Sequence, residues 1–155
     1  MENGVALREE QLEILRVLYP WYKEEVFRRR EQMMRLTAFA SAFHVLLLVT
    51  IMAVAPSHAT HFTTRLFAIT GIALFSAIFV YLILQQRDRH RIAKKTLIEM
   101  ERVLGLYDEG LYLVGKALYP QDWQTAWLSD RSVTVYVAVI AALTALVIGA
   151  VLVRA

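Results

Sequence analysis

Three long apolar runs separate the polar parts of this chain of 155 residues. They cover residues 36–55, 66–84 and 133–153, and none of them contains Asp, Glu, Lys or Arg. A bilayer core of about 30 Å is crossed by roughly 20 helical residues, and a helix satisfies its own backbone hydrogen bonds in lipid. The pattern therefore predicts an all-α integral membrane protein with three transmembrane helices.

The basic residues predict how these helices are oriented. Residues 1–35 contain seven Lys and Arg and residues 85–132 contain eight, whereas the 56–65 connection and the segment after residue 153 contain one each. Because Lys and Arg concentrate on the cytoplasmic side, the N-terminus and the 85–132 segment are predicted in the cytoplasm, with the loop and the C-terminus outside. Residues 1–7 are polar and do not resemble a signal peptide. We expect a multi-pass protein of the inner (plasma) membrane.

The cytoplasmic parts are predicted to form a helical collar that is continuous with the spans. Pro20 is expected to interrupt the amphipathic helices of residues 1–35, so that one helix runs from Trp21 to about Ala55. The second span should continue inward and break near Gly105. Its apolar seam has the four-and-three spacing of a heptad, in Ala93, Leu97, Met100, Leu104, Tyr107 and Leu111. The seam should pack on the N-terminal helices or on another subunit.

Aromatic residues precede the third run. Tyr119, Trp123 and Trp127 suggest a helix at the level of the lipid headgroups, where amphipathic rings concentrate. The tripeptide Leu-Tyr-Pro ends at Pro20 and again at Pro120. Three residues are too few to define a repeat.

Composition narrows the classes of function. The hydrophobic fraction is 57%, which a small soluble domain cannot bury, so the excess must face lipid or partner subunits. The chain has no cysteine, which excludes disulfides and thiolate zinc sites. Without a phosphate-binding glycine loop, a zinc-protease motif or a serine nucleophile elbow, the sequence predicts neither an enzyme nor a cofactor.

One ionisable side chain, His44, lies well inside an apolar run. Thr37, Ser41 and His44 share one helical stripe, which we call the His44 stripe, and in an oligomer it could line a pore. Alternatively, His44 is a neutral histidine that is hydrogen-bonded to a neighbouring helix.

Basic residues follow the second run directly, namely Arg87, Arg89, Arg91, Lys94 and Lys95. They could bind an anion, such as a nucleotide or oligonucleotide signal, or they could set topology and contact anionic lipid. His58 and His61 in the loop offer too few ligands for a closed metal site.

Small residues recur in the third run. Ala141, Ala145 and Gly149 are four residues apart, a spacing that lets helix backbones approach closely in lipid. The contact could form within one chain or between chains.

The segments RRREQMMRLTAF and RDRHRIAKKTLIEMERVLGL flank a short outside loop. This layout resembles the SLATT-type small membrane effectors of bacterial antiphage systems, over roughly half the chain and by architecture only; the third span departs from their two-span pattern. The resemblance implies a homo-oligomer that perturbs the membrane when a nucleotide signal arrives.

Two hypotheses of function follow from these patterns. The first is a homo-oligomeric membrane effector or ion channel, gated when the collar binds a ligand or a cytoplasmic protein. The second is a non-conducting accessory or scaffold subunit of a larger membrane complex.

Overall fold

The computed structural model of the chain describes residues 9–53, 62–126 and 131–154. Within these ranges the protein is all-helical, with α1 (Glu9–Ala53), α2 (Phe62–Val103), α3 (Trp123–Ala126) and α4 (Arg131–Arg154). The described residues contain no β-strand, only an isolated bridge between Leu113 and Lys116. The prediction of an all-helical chain is confirmed, and α1, α2 and α4 are each long and apolar enough to cross a membrane.

The loop predicted at residues 56–65 ends earlier than expected. Helix α2 begins at Phe62, so residues 62–65 are helical and belong to the second long helix. Pro56 to His61 lie outside the described residues, and so do both loop histidines and Trp127.

The chain divides into two compact units, and α1 and α2 contribute to both. The polar unit comprises Met1–Arg29 and Asp88–Ser129, and the apolar unit comprises Arg30–Arg87 and Asp130–Ala155. Helix α4 belongs to the apolar unit alone, and α3 belongs to the polar unit alone.

The core of the apolar unit is formed by one seam from each of its three helices. Met33, Ala40, Ile83, Val133 and Ile140 form its buried cluster. On α4 the buried positions Val133, Ile140 and Val147 are seven residues apart. A repeat of seven keeps one seam of each helix turned toward its partners, as in left-handed helix packing.

Four phenylalanines add an aromatic contact between α1 and α2. Phe39 and Phe43 are one turn apart on α1, and Phe75 and Phe79 are one turn apart on α2. The ring centroids of Phe43 and Phe75 are 4.3 Å apart, and those of Phe39 and Phe79 are 5.7 Å apart. These distances are in the range in which aromatic pairs stabilise a core beyond their buried area.

Most of the apolar surface of these helices is not covered by the chain itself. Only 17%, 11% and 17% of the most apolar windows of α1, α2 and α4 are buried. Leaving that area in water would cost roughly 25 cal/mol per Å², so lipid or further protein must cover it.

The polar unit has a smaller core on the first part of α1 and the second part of α2. Val26, Ala93 and Leu97 are buried there, and Tyr19 and Tyr22 pack against them. The imidazole of His90 is also buried, and its Nδ1 atom lies 3.1 Å from the carbonyl oxygen of Val26. Because a carbonyl only accepts, Nδ1 donates this bond and ties α2 to α1.

The expected break at Pro20 is wrong, because Pro20 lies inside the continuous helix α1. Proline has no N–H, so the carbonyl of Arg16 loses its helical donor. Pro20 itself is exposed, and water can reach a carbonyl on that side of the helix. The contacts that Tyr19 and Tyr22 make on either side of Pro20 favour continuation of the helix.

The predicted break near Gly105 is confirmed, and its hydrogen bonds identify the cause. Gly105 has φ of +67°, and its N–H donates to the carbonyl of Arg102 while the N–H of Leu106 donates to that of Glu101. This pair of bonds is a Schellman C-cap, which requires a left-handed residue at the position of Gly105. The chain therefore leaves the helix after Val103.

The end of α2 corrects the predicted heptad seam. Ala93 and Leu97 are buried as the seam predicts, but Leu104, Tyr107 and Leu111 come after the helix has ended. Tyr107 is buried in the turns that follow, whereas Leu111 is exposed.

Of the aromatic helix predicted before the third span, the structure describes the four residues of α3, which include Trp123, whereas Tyr119 precedes α3 in a non-helical segment. Trp127 lies outside the described residues, so the location of this helix at the lipid headgroups stays a prediction. The N–H of Tyr119 donates to the carbonyl of Leu106, and its ring packs against the rings of Tyr107 and Trp123. Turns and short-range bonds in residues 104–125 replace the expected helical periodicity.

Candidate functional site

The apolar unit contains one buried polar cluster, which joins its three helices. His44 of α1 is fully buried, with Nε2 2.9 Å from the hydroxyl of Ser76 on α2 and 3.2 Å from that of Thr144 on α4. The two hydroxyl oxygens are 2.8 Å apart. On the other side of the ring, Nδ1 lies 2.7 Å from the carbonyl of Ala40. We call His44, Ser76 and Thr144 the polar triad.

The hydrogens of the polar triad can be arranged in two orders. Nδ1 must donate to Ala40, because a carbonyl has no hydrogen to give. Ser76 and Thr144 also lie within 2.8 and 2.7 Å of the carbonyls four residues before them. With a neutral ring, Ser76 donates its one hydrogen to Nε2 and Thr144 donates to Ser76, so the two carbonyls lose these donors. With a doubly protonated ring, Nε2 donates to Ser76, and Ser76 and Thr144 donate to the carbonyls of Ile72 and Ile140.

The three residues of the His44 stripe are not equally buried. His44 and Thr37 are buried within the chain, whereas Ser41 is half-buried. The hydroxyl of Thr37 donates to the carbonyl of Met33 in its own helix. His44 makes the hydrogen bonds to neighbouring helices that the alternative interpretation expected. Lining of a pore by this stripe stays a prediction.

A second polar cluster, in the polar unit, was not predicted from the sequence. The carboxylate of Glu101 is buried, and it accepts hydrogen bonds from the hydroxyls of Tyr19 (3.3 Å) and Tyr107. The hydroxyl of Tyr119 lies 3.1 Å from that of Tyr19. Since Tyr19 donates its hydrogen to Glu101, Tyr119 donates to Tyr19. We call these four residues the tyrosine cluster.

Burial and the neighbouring carboxylate act on the phenols in the same direction. Burial raises the pKa of Tyr19 above its usual value, and its hydrogen bond with Tyr119 and the charge of Glu101 raise it further. The pKa of Tyr107 is raised by burial and then by its hydrogen bond to Glu101. A phenolate there would have to stand beside a carboxylate in a poorly solvated place. Both phenols therefore remain hydrogen-bond donors across the neutral pH range.

The C-cap of α2 explains how the tyrosine cluster forms locally. Glu101 is in the last turn of α2, and the turn at Gly105 reverses the chain so that Tyr107 returns to it. The one sequence signal was the repeated Leu-Tyr-Pro, because its two tyrosines are the residues that meet here. Three matching residues give no reason by themselves to expect a contact between positions 100 residues apart.

The basic residues after the second span all lie on α2 but do not form one face. Arg89, Arg91 and Lys95 are exposed, and Arg87 and Lys94 are half-buried. At 100° per residue, Arg89 points away from the side that the other four share. Anion binding by these residues stays a prediction.

The small residues of α4 are not its packing face within the chain. Ala141 and Ala145 are exposed, and a Cβ atom added to Gly149 would meet no atom within 4 Å. Val133, Ile140 and Val147 form the buried seam instead. Contact between chains through the small residues stays a prediction.

No group of three or more His, Asp or Glu side chains suited to a metal ion occurs in the part of the chain that the structure describes. No protein-family model matches the chain, and no curated protein or solved structure shows significant similarity to it. The likeness to SLATT-type effectors therefore stays a prediction from architecture.

Proposed function

We propose that the chain is a homo-oligomeric membrane effector or ion channel that is gated through its cytoplasmic helical parts. The observation that carries this proposal is the polar triad. Polar side chains inside membrane spans are costly, and in membrane proteins they are often retained for ion pathways or gates. A triad that joins all three apolar helices is suited to hold a closed state together.

The proposed gating step separates the helices at the polar triad. In the closed state His44, Ser76 and Thr144 satisfy one another within each chain. Opening would rotate α1 so that the His44 stripe faces an axis shared by several subunits. The helices α1 and α2 run through both units, which gives a signal bound in the polar unit a covalent route to the triad. A ligand that favours one packing would then shift the population of open oligomers.

The topology and the setting belong to the same proposal. The N-terminus and the 85–132 segment lie in the cytoplasm and the C-terminus lies outside the inner membrane, as the basic residues favour. The likeness to SLATT-type proteins favours a role in antiphage defence, with a nucleotide signal as the trigger.

Ion flux through vesicles tests the gate. His44→Leu removes the imidazole at nearly unchanged size, so Ser76 and Thr144 lose a shared partner and the stripe loses its ionisable group. We expect the variant to change dye or ion release from reconstituted vesicles by roughly tenfold or more, the effect of about 1.4 kcal/mol on a closed–open equilibrium.

Thr50→Val is the matched control, because Thr50 is exposed on the same helix and its hydroxyl donates to the carbonyl of Leu46 within that helix. It should leave the flux unchanged. Equal flux from the wild type and His44→Leu would show that the polar triad does not control the gate.

A scaffold subunit is the second candidate, and an exposed apolar turn favours it. Leu111, Tyr112, Leu113 and Val114 are all exposed in the polar unit, and Val114 is fully so. Four consecutive exposed apolar residues are typical of a surface that another protein covers. A scaffold should co-purify with a stoichiometric partner, whereas an effector can assemble from copies of itself.

A further inference from the structure

We propose that the polar unit binds a small organic cation, of the methylated ammonium class, in a cavity that combines aromatic walls with the Glu101 carboxylate. The inference concerns ligand binding, and it does not depend on the proposed ion conduction.

The cavity encloses about 60 Å³ and is partly open. Phe27 of α1, Tyr107, Tyr119 and Trp123 contribute aromatic rings to it. The rings of Tyr119 and Trp123 are 5.5 Å apart and inclined by 36°, so their faces are not stacked flat on each other. A cation near the face of such rings is attracted by their quadrupoles, and the attraction grows when water is excluded.

Glu101 supplies the charge that selects a cation. Its side chain lines the cavity, and the residue is only 8% exposed. An ionised carboxylate can accept about four hydrogen bonds, and the tyrosine hydroxyls supply two. Glu101 forms no ion pair with any described residue. A bound cation would therefore neutralise the charge of the Glu101 carboxylate, which is buried away from water.

Lys23 also lines the cavity but does not reverse this preference. It is exposed, and its Nζ atom lies 5.9 Å from the centroid of the Tyr19 ring. The charge of an exposed ammonium is screened by water, whereas the buried carboxylate acts through a medium of lower dielectric. Lys23 should weaken the binding of a cation without abolishing it.

Three probes of similar shape and different charge test the proposal. They are tetramethylammonium, the neutral tert-butanol and the anionic trimethylacetate. Binding is measured on the full-length protein by saturation transfer to the probe's methyl protons, and by the emission of Trp123 after Trp21→Phe and Trp127→Phe. A maltoside detergent is used, because detergents with choline headgroups would themselves supply the cation. We expect saturable binding of tetramethylammonium alone.

Substitutions should change the affinity in opposite directions. Glu101→Gln should weaken binding by roughly tenfold or more, because it removes the buried charge. Phe27→Leu, at a half-exposed wall position, should weaken it by about threefold. Lys23→Met should tighten it. Glu99→Gln, an exposed carboxylate two residues from Glu101 on the same helix, is the control and should change nothing.

The outcomes separate a cation site from a plain apolar cavity. Equal binding of all three probes, or no saturable binding of tetramethylammonium, would overturn the proposal. Unchanged affinity in Glu101→Gln would do the same. If Glu101→Gln does not fold, Phe27→Leu and Lys23→Met still test the proposal, because they should change the affinity for tetramethylammonium in opposite directions. Effects of the same sign, or no effect, would contradict the site.

Discussion

At the scale of single residues, each unit has a cluster of buried polar groups, the polar triad in one and the tyrosine cluster in the other, and Thr37 and His90 are buried outside these clusters. In the described part of the chain, every buried side-chain nitrogen or oxygen has a hydrogen-bond partner. An unpaired polar group in such places would cost about 1–3 kcal/mol, so the partners are needed for stability as well as for any function.

The tyrosine cluster predicts how stability depends on pH. Tyr19 and Tyr107 have raised pKa values when folded, whereas unfolded tyrosines ionise near pH 10. Below about pH 10 both states keep these protons, so the two phenols add no pH dependence. Above it the unfolded state binds fewer protons than the folded one, and the free energy of unfolding falls as pH rises.

Tyrosinate absorbance, followed with thermal unfolding as pH is raised, checks this prediction. Two of the seven tyrosines should ionise only as the polar unit unfolds. Replacing both by Phe should remove that part of the pH dependence. Ionisation of all seven at the usual pH, in a protein that stays folded, would contradict the arrangement.

The sequence could single out His44 but not its partners. An ionisable residue deep in an apolar run is visible in any sequence. Ser76 and Thr144 are ordinary hydroxyl residues in their spans, and only the rotation of each helix about its axis decides whether they meet the imidazole. The tyrosine cluster was harder still to predict, because it depends on the turn at Gly105 and on contacts across 82 and 100 positions.

At the scale of elements, local residue chemistry predicted some helix ends and missed others. The three apolar runs and the C-cap at Gly105 follow from short-range rules. Pro20 did not end α1: the helix continues through it, and Tyr19 and Tyr22 on either side pack against the core of the polar unit. The heptad seam predicted on α2 extends past the break near Gly105 to Tyr107 and Leu111, which come after the helix has ended, because apolar spacing alone does not show where a helix stops.

The C-cap of α2 gives a prediction about Gly105. An alanine at this position would have to keep the φ of +67°. Its Cβ atom would approach Leu111, whose exposed side chain can move aside. The conformational strain remains, so Gly105→Ala should destabilise the polar unit by about 1–2 kcal/mol. Gly105→Asn should cost less, although Asn is larger, because Asn tolerates the left-handed region.

Thermal unfolding and hydrogen exchange of the Leu106 amide, which donates the longer bond of the cap, measure this effect. Loss of protection should be greater for Ala than for Asn. If both variants behave alike, or if Ala is the milder one, backbone conformation is not what ends the helix.

At the scale of the whole molecule, the chain has more apolar surface than it can cover. The exposed faces of α1, α2 and α4 include large side chains such as Phe67, Leu74 and Leu146. Lipid would cover these faces in a monomer. In an oligomer, other copies of the chain would cover part of them and lipid would cover the rest. The proposed gate needs the second arrangement, because its pore lies between subunits.

Native mass spectrometry of the protein released from nanodiscs tests that central claim most directly. Each chain has a mass of 17.8 kDa, so copies are readily counted. The account predicts one closed oligomer of identical chains. A monomer, or a stoichiometric complex with an unrelated protein, would contradict the self-assembled channel and favour the scaffold subunit.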